Sequence, residues 1–407
     1  MVPHISEVRI RNYKSIAQAA VTLGPFTALV GPNGSGKSNF IDSLAFVQEC
    51  LAESIELAFK NRGGINAVHN AVRLKSKGHP TPIGVQLALQ LSDGGSATYA
   101  FGITAGKSGA FRVARESCTV RPSMGEEVKF EVENGAFKKE IHGIRPKVSS
   151  DRLALYAASG TDEFRPVYDF LTSMRFYSVA PERLRELQNP DPGDFLKRDG
   201  SNAAAVLKRL AEESKGNERY ERLCRLLSKV VHGLQGVEYH PVGQKETLQF
   251  RQDVGLKHPW RFDALNMSDG TLRSLGLLLA VYQVGKASVV AVEEPEATVH
   301  PAVMELIVEV LLDAAQDRQV LITTHSPDIL DHKGIHDEQI RAVTIDQNWT
   351  LICPLSQASR DAVREHLYTA GELLRSGELT PDVQAARKAA TQPDLFSSFT
   401  PSDAQPE

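Results

Sequence analysis

The chain has 407 residues, 42% of them hydrophobic and 24% charged, which is typical of a folded globular protein and excludes a disordered or fibrous one. Its formal net charge of −4 provides no overall electrostatic attraction to a nucleic acid or an acidic membrane. A local basic cluster could still bind either of them. The four cysteines lie far apart and lack the spacing of a zinc site. No apolar run reaches the ~18 residues that span a membrane. We therefore expect a cytoplasmic protein without membrane partners.

The first forty residues predict three strands, a loop and a helix. The stretch "SEVRIRNY" alternates, "AAVTL" is short and apolar, and "FTALV" is the continuous apolar run of a strand buried on both faces. The loop "GPNGSGKSNF" follows, and "FIDSLAFVQECL" then has helical spacing.

The middle of the chain changes from strand-like to helical patterns. Residues 83–150 contain short alternating segments broken by Gly, Asp and Ser, which predict an antiparallel sheet. From about 164 to 235 the apolar spacing is helical, and no heptad repeat persists long enough for a long coiled coil.

Residues 264–353 alternate helix and strand, the pattern of an α/β fold with parallel strands. We predict one α/β domain over 1–375 that is assembled from both ends of the chain around a parallel core sheet, with an antiparallel β subdomain and a helical subdomain. The predicted parts are a phosphate-loop lobe at 1–56, an antiparallel β and basic region at 57–163, a helical region at 164–245, a second α/β lobe at 246–355 and a disordered tail at 376–407.

The most specific motif is "GPNGSGKS", in which two glycines four residues apart precede Lys and Ser between a strand and a helix. Glycines let backbone N–H groups wrap the phosphates of a nucleotide, Lys37 adds a positive charge, and the hydroxyl of Ser38 offers a ligand to Mg²⁺. A glycine-rich turn that matches by chance is the alternative, and the flanking strand and helix argue against it. The predicted nucleotide-binding residues are Gly31, Pro32, Asn33, Gly34, Ser35, Gly36, Lys37, Ser38 and Asn39.

Two adjacent acids, Glu293 and Glu294, end the apolar strand "VVAV". Successive side chains of a strand point to opposite sides, so one acid could face Ser38 and a metal while the other faces the γ-phosphate and its water. An isolated pair of this kind is more typical of solvated acids at a strand end, and the neighbouring motifs favour the functional interpretation.

Two further motifs accompany the acids. In "QVLITTHSP", His325 ends another apolar strand, where its imidazole could hydrogen-bond a γ-phosphate. In "MSDGTLRSL", Ser268 and Gly270 precede an apolar helix. This segment is either an N-cap or an anion site that acts on a phosphate held by another chain.

In their order along the chain, these four motifs resemble those of the ABC-type ATPase superfamily, specifically its soluble branch of SMC, RecF and OLD-like proteins. The resemblance covers about residues 5–50 and 262–330. It matches the Walker A motif to Gly31–Ser38, the Walker B motif to Val289–Glu294 and the H-loop to His325. The signature motif is matched by Ser268, Asp269, Gly270 and Arg273.

The resemblance implies that ATP and Mg²⁺ bind, with Ser38 and Glu293 on the metal and with Glu294 and His325 as catalytic residues. Family members usually have Asp where this chain has Glu293, a difference of one methylene that leaves direct or water-mediated contact with Mg²⁺ open.

Two more features are implied by the family. Because "IRNYKS" resembles its opening strand, Arg11, Asn12 and Lys14 are expected to line the adenine and phosphate end of the site. A homodimer that sandwiches two ATP molecules, each closed by the signature motif of the other chain, is also expected.

Two biological roles remain open. The first is a RecF-like ATPase that acts on DNA in the repair of breaks or gaps. The second is an OLD-like regulatory ATPase of a phage-defence system that controls a separately encoded effector or nuclease, since no acidic nuclease cluster follows His325. For DNA binding, residues 57–92 contain basic residues and no acid, although a solvated loop would look the same. These basic residues are Lys60, Arg62, Arg73, Lys75 and Lys77.

Overall fold

The computed structural model describes residues 2–69, 82–106, 110–138, 151–213, 218–298 and 300–391. They form two compact units. Unit 1 contains Met1–Met174, Asp337–Leu367 and Ser376–Glu407, and unit 2 contains Arg175–His336 and Tyr368–Arg375. Unit 1 therefore combines both ends of the chain, and the lobe predicted at 246–355 is divided between the units at residue 337.

Unit 1 is built mainly from strands. Its strands are β1 (His4–Tyr13), β2 (Ile16–Thr22), β3 (Phe26–Val30), β4 (Ile83–Gln90), β5 (Ser96–Ala105), β6 (Phe111–Arg121), β7 (Val128–Glu133), β8 (Ala136–Phe137), β15 (Ile340–Asp346) and β16 (Trp349–Pro354). Its helices are α1 (Lys37–Ala52), α2 (Ile55–Lys60), α3 (Ile65–Val68), α4 (Ala154–Ala158), α5 (Arg165–Thr172), α12 (Gln357–Arg364) and α14 (Val383–Thr391).

Two sets of strands organise unit 1. The seven strands in the order β2-β1-β4-β5-β6-β7-β8 form an antiparallel sheet, as the alternating segments of 83–150 predicted. In the second set, β15 pairs parallel with β3 and antiparallel with β16. All five residues of β3 are buried, as expected for a strand covered on both faces. The loop that follows β3 is thus positioned by strands from the distant end of the chain.

A buried ion-pair network in unit 1 is centred on Arg62, whose side chain is only 5% exposed. Its guanidinium donates to Asp42 at 3.0 and 3.1 Å and to Glu49 at 2.8 and 3.0 Å. Burial acts to raise the pKa of Asp42, but the Arg62 charge and hydrogen bonds from Lys14, Tyr13 and Arg62 lower that pKa below its usual value. Arg62 therefore stabilises the fold around α1.

This network changes the prediction of a DNA-binding patch. Arg62 is occupied by the buried carboxylate of Asp42 and the partly buried carboxylate of Glu49, so it is not available to a phosphate group. Lys60 is exposed at the end of α2. The remaining basic residues of the predicted patch, Arg73, Lys75 and Lys77, lie outside the described residues.

A buried carboxyl group, that of Glu116 on β6, occupies the interior of unit 1. Its oxygens accept hydrogen bonds from the Tyr99 hydroxyl at 2.9 Å and from the backbone N–H groups of Ala154 and Leu155 at 2.5 and 2.8 Å. Burial raises the pKa of Glu116 to about 7, although these hydrogen bonds oppose the shift. The folded state therefore binds a proton at Glu116 more tightly than the unfolded chain does.

We expect Glu116 to make the free energy of unfolding depend on pH. Its stabilising contribution is complete below the unfolded pKa near 4.5 and is lost as the pH rises through the folded pKa of about 7. The difference in unfolding free energy between wild type and Glu116→Gln should change by about 3 kcal/mol between pH 4.5 and 7.5, measured by urea unfolding. The exposed Glu126→Gln variant is the control, and a pH-independent difference for Glu116→Gln would contradict the assignment.

The structure differs from the predicted disordered tail over residues 376–391. Helix α14 packs against β2 and β16, the side chain of Gln18 donates to the carbonyl of Ala390, and Arg387 pairs with Asp346. The sequence did not predict this helix because the helix is largely polar, with Ala386 as its one buried residue. Residues 392–407 lie outside the described part of the chain.

Unit 2 combines parallel strands, a small antiparallel sheet and helices. Its strands are β9 (Arg175–Tyr177), β10 (Leu234–Val242), β11 (Lys245–Gln252), β12 (Trp260–Asp263), β13 (Val289–Glu293) and β14 (Gln319–Thr324). Its helices are α6 (Pro181–Arg185), α7 (Ala203–Glu213), α8 (Glu218–Val230), α9 (Asp269–Tyr282), α10 (Pro301–Ala314), α11 (Pro327–Leu330) and most of α13 (Ala370–Ser376).

Strand β13 lies between β9 and β14 and pairs parallel with both. All six residues of β14 are buried, and so are the first four of β13, which explains the apolar residues at the centre of each strand. Strands β10, β11 and β12 form the antiparallel sheet. The predicted fold class, an α/β fold with parallel strands, an antiparallel subdomain and a helical region, is confirmed. Within the described residues, no helix is both long and apolar enough to cross a membrane.

Candidate functional site

The predicted phosphate loop joins β3 to α1 in unit 1. Gly34 and Gly36 have φ angles of 79° and 102°, in the left-handed region that favours glycine. Gly36 is the N-cap of α1 and supplies no capping side chain, and the first turn of the helix contains no acid. The first N–H groups of a helix have no partner within it, so this end of α1 is suited to an anion.

Two glycines of the loop lie against the late strands of unit 1. A Cβ on Gly31 would lie 2.1 Å from the carbonyl oxygen of Val343 on β15, and one on Gly36 would lie 2.0 Å from Oγ1 of Thr350 on β16. No other residue fits at either position. The glycines are therefore required by the close packing of the loop as well as by access for a phosphate.

The polar side chains of the motif fit a nucleotide with Mg²⁺. The buried Lys37 amine donates to the carbonyls of Gly31 at 2.6 Å and Pro32 at 3.1 Å, which holds its charge over the loop. Ser38 is exposed on the first turn of α1, where its hydroxyl is available as an oxygen ligand of the kind Mg²⁺ prefers. Asn33 is exposed at the loop tip, and Asn39 is part of a hydrogen-bond chain described next.

A residue that the sequence did not single out, Thr350, anchors the loop. Its buried hydroxyl donates to the carbonyl of Ser35 at 2.8 Å and lies 2.7 Å from the hydroxyl of Ser15. The side chain of Asn39 donates to the same Ser15 hydroxyl at 2.7 Å. A threonine in an edge strand has no motif around it, so only the structure could reveal this role.

We expect Thr350→Val to weaken ATP binding about threefold to tenfold, since it removes one neutral hydrogen bond to the loop. Valine has nearly the same shape and suits a strand, so the melting temperature should change little. Titration with a fluorescent ATP analogue measures the affinity, and Thr350→Ser, which keeps the hydroxyl, should bind as wild type does. Equal affinities for the valine and serine variants would refute the anchoring role.

Strand β1 and the turn after it offer fewer side chains to a nucleotide than the sequence predicted. Asn12 is 3% exposed, and its amide donates to the carbonyl of Pro82 at 2.8 Å, so it is not available to a nucleotide. Lys14 is 2.6 Å from a carboxylate oxygen of Asp42. Arg11 is partly buried on β1. Of these three predicted contacts, Asn12 is contradicted by its burial, and Arg11 and Lys14 stay predictions.

In unit 2, the two acids occupy different environments, although Glu294 follows β13 in a left-handed turn and does not continue the alternation of the strand. Glu293 ends β13 opposite Thr323 of β14, and its carboxylate is 2.7 Å from the guanidinium of Arg198. The backbone N–H of Glu294 donates to the carbonyl of Thr323 at 3.0 Å, and the Glu294 side chain is 39% exposed. One acid is thus paired and largely buried, and the other is open to water.

Glu294 has a φ of 46°, in the left-handed region that non-glycine residues rarely adopt. The guanidinium of Arg273 holds this turn by donating to the carbonyls of Glu294 at 2.8 Å, Glu293 at 3.2 Å and Val179 at 2.9 Å. Burial lowers the pKa of Arg273. The predicted action of Arg273 on another chain is therefore corrected, because its guanidinium is bound to the main chain of its own unit.

A third acid, Glu296, organises the H-loop. One of its carboxylate oxygens accepts from the Thr324 hydroxyl at 2.7 Å and from the backbone N–H of His325 at 3.0 Å. The same oxygen is 3.4 Å from Nδ1 of His325, and an oxygen of Glu294 is 3.7 Å from Nδ1. The structure thus places both Glu294 and Glu296 beside His325, and the sequence analysis missed Glu296 although it stands in "EEPE".

The predicted signature segment begins α9 in unit 2. Ser268 is the N-cap and its hydroxyl accepts from the backbone N–H of Thr271 at 3.2 Å, so the capping interpretation is confirmed. Asp269 pairs with Arg185, which also donates to the carbonyl of Met267 at 2.9 Å. Ser268 is nevertheless exposed, and its action on another chain stays a prediction, as does that of Gly270.

A separate cluster in unit 2 contains Glu305, Glu309 and His332, whose side-chain ligand atoms lie within 4.8 Å of one another. Nδ1 of His332 accepts a hydrogen bond from the backbone N–H of Gly334 at 3.1 Å. This hydrogen bond occupies Nδ1, one of the two ring nitrogens that could ligate a metal.

Two family models match the chain. Residues 168–331 match the model described as "AAA domain, putative AbiEii toxin, Type IV TA system", and residues 4–76 match the model described as "AAA ATPase domain". The first match includes Glu293, Glu294, the predicted signature segment and His325. The second includes the phosphate loop.

Curated relatives belong to two groups. Structural maintenance of chromosomes protein 1 of Schizosaccharomyces pombe is 25% identical over 249 residues, which cover 55% of this chain and 19% of that protein. The Old nuclease of Escherichia phage P2 is 22% identical over 381 residues, which cover 86% of this chain and 61% of the nuclease. The chain thus spans only part of the length of these relatives.

Two solved structures share the fold. The Smc head domain with an extended coiled coil, bound to the C-terminal domain of ScpA and derived from Pyrococcus furiosus, has a TM-score of 0.53 and 13% identity, covering 90% of this chain and 99% of that chain. An Smc head bound to the C-winged helix domain of ScpA has a TM-score of 0.52 and 14% identity, covering 87% and 99%. Together with the motifs, these matches support the resemblance of the chain to ABC-type ATPases of the branch that contains the SMC and OLD-like proteins.

Proposed function

We propose that this chain binds ATP with Mg²⁺ and hydrolyses it to ADP and phosphate. The observation that carries the proposal is the conformation of Glu294. A non-glycine residue with φ of 46° costs about 1–3 kcal/mol, and such residues concentrate where function needs them. Arg273 and Thr323 hold Glu294 in this conformation next to His325.

The phosphate loop would bind the nucleotide. Backbone N–H groups of Gly34 to Ser38 would donate to the β- and γ-phosphates, and Lys37 would move its amine from the loop carbonyls to the phosphate oxygens. Bound Mg²⁺ would neutralise charge on the two phosphates, and the oxygen donors proposed for it are Ser38 and Glu293.

Glu294 would act as the general base. Its carboxylate is open to water and would orient a water molecule, and accept its proton, for attack on the γ-phosphate. His325 would donate a hydrogen bond to the γ-phosphate while Glu296 fixes its position. The resemblance to the family further suggests an ATP-dependent homodimer in which Ser268 contacts the nucleotide of the partner.

Purified protein tests this function directly. We expect phosphate release from ATP that requires Mg²⁺, and an ATP-dependent increase in the mass of the protein in solution toward that of a dimer. Mass from light scattering and released phosphate are measured on the same preparation. Absence of ATP binding would contradict the whole proposal, and binding without any change in mass would contradict only the dimer.

For the biological role, we propose the regulatory, OLD-like alternative ahead of DNA repair. The match to Old nuclease spans 86% of this chain, and Arg62 of the expected DNA patch is buried in ion pairs. Turnover measured with single- and double-stranded oligonucleotides at low and high salt separates the roles. DNA-stimulated turnover that weakens with salt would favour the RecF-like role, and turnover insensitive to DNA would favour control of a separate effector.

A further inference from the structure

The carboxylate of Glu293 is occupied by a cation of its own unit. Its Oε1 lies 2.7 Å from a terminal guanidinium nitrogen of Arg198. The Glu293 side chain is 12% exposed and that of Arg198 is 47% exposed, so the ion pair lies at the edge of the interior. This carboxylate is the one that the proposed function assigns to the metal.

The loop that carries Arg198 is held in place by main-chain and buried hydrogen bonds. The carbonyl of Arg198 accepts from the backbone N–H of Ser178 at 2.9 Å, directly after β9, the parallel neighbour of β13. Asn202, 1% exposed, accepts from the backbone N–H of Lys197 at 2.8 Å. The guanidinium is therefore presented to Glu293 by a fixed backbone.

The length of the acid matters for this pair. Aspartate would place its carboxylate one carbon–carbon bond, about 1.5 Å, closer to the main chain. From the observed 2.7 Å, this change would take the oxygen out of hydrogen-bond range of the Arg198 guanidinium. Glu293 thus allows an ion pair that Asp at the same position would not make without movement of the loop.

We propose that Arg198 is a positioning residue that competes with Mg²⁺ for the carboxylate of Glu293. The inference rests on the proposed function. A carboxylate that pairs with a guanidinium is less available to a metal ion, and the metal must displace the guanidinium before it gains that ligand. The pair therefore raises the Mg²⁺ concentration at which the nucleotide is bound, and displaced Arg198 becomes a free cation beside the site.

The experiment measures the Mg²⁺ midpoint for binding of a fluorescent ATP analogue at fixed nucleotide concentration. Metal bound by free nucleotide is the same for every variant and cancels in the comparison. An exposed pair contributes up to about 1 kcal/mol, so we expect Arg198→Gln to lower the midpoint about twofold to fivefold. The shift should shrink at high salt, because exposed charges are screened, and Arg198→Lys should restore part of the wild-type midpoint.

Arg222→Gln is the matched control. Arg222 pairs with Asp313 in the same unit at 2.8 Å and is 49% exposed, nearly the distance and exposure of Arg198. It should leave the midpoint unchanged, because its carboxylate partner has no assigned role. A decrease of similar size in Arg222→Gln would show a general charge effect and overturn the proposal.

A double-mutant comparison isolates the pair. In a Glu293→Asp background, where the pair does not form, Arg198→Gln should produce no further decrease in the midpoint. An unchanged or raised midpoint for Arg198→Gln in the wild-type background would overturn the competition while leaving the proposed function intact. Wild-type protein that binds the nucleotide analogue without any dependence on Mg²⁺ would instead contradict the assignment of Glu293 to a metal.

Discussion

Replacement of Glu294 by Gln is expected to lower the rate of ATP hydrolysis about a hundredfold to ten-thousandfold, the usual contribution of a general base. Glutamine keeps the size of the side chain and its hydrogen-bonding oxygen but cannot accept the proton of the attacking water. ATP affinity should remain within about twofold of wild type, because Glu294 is expected to contact the water rather than the nucleotide. Phosphate release and binding of a fluorescent analogue measure the two quantities separately.

The same variant should stabilise the ATP-bound assembly. If hydrolysis releases two protomers, blocking it should make the ATP-dependent dimer persist, which light scattering detects. Glu309→Gln, an exposed acid of α10, is the control for loss of one negative charge. Unchanged hydrolysis in Glu294→Gln would refute its role as the base, and a melting temperature near that of wild type would exclude misfolding as the cause.

The second large effect is expected for Lys37→Ala, which should weaken ATP binding about tenfold to a hundredfold. A charged hydrogen bond contributes about 1.5–3 kcal/mol, and the buried Lys37 amine is the cation that the phosphate loop itself supplies. The alanine also removes the hydrogen bonds to Gly31 and Pro32, so folding is checked by thermal melting. Binding of the fluorescent ATP analogue measures the loss.

Lys60→Ala provides the comparison for this prediction, because Lys60 is an exposed lysine of the same unit at the end of α2. Its removal changes the net charge equally and should leave ATP affinity unchanged. Equal losses in the two variants would mean that Lys37 acts through overall charge. An unchanged affinity in Lys37→Ala would contradict the assignment of residues 31–38 as the phosphate loop.

Local patterns in the sequence predicted much of the fold and the chemistry of the site. The phosphate loop was predictable because its glycines, lysine and serine are consecutive and lie between a buried strand and a helix. Strands β3, β13 and β14 were predictable because burial on both faces leaves short stretches that are mainly apolar. Phosphate binding and burial on both faces each restrict residues that are neighbours in the chain, so both leave a pattern that can be seen in the sequence.

The parts that could not be predicted depend on contacts between distant residues. Thr350 and Arg198 have no motif, and each is defined by a partner far away in the chain. Arg62 looked like a surface cation because its partners, Asp42 and Glu49, are spaced along α1 rather than beside it. Arg273 was assigned to a partner chain by analogy, and its bonds to the carbonyls of Glu293 and Glu294 became visible only in three dimensions.

The anchor between Thr350 and the phosphate loop has a consequence for synthesis on the ribosome. The hydroxyl of Thr350 and the carbonyl of Ser35 are 315 positions apart. At about 5–20 residues per second, the loop must wait roughly 15–60 s after its own translation before this partner exists. Until then the nascent chain carries an incomplete nucleotide site. We therefore expect nascent chains that end before residue 350 to bind ATP more weakly than the full chain does.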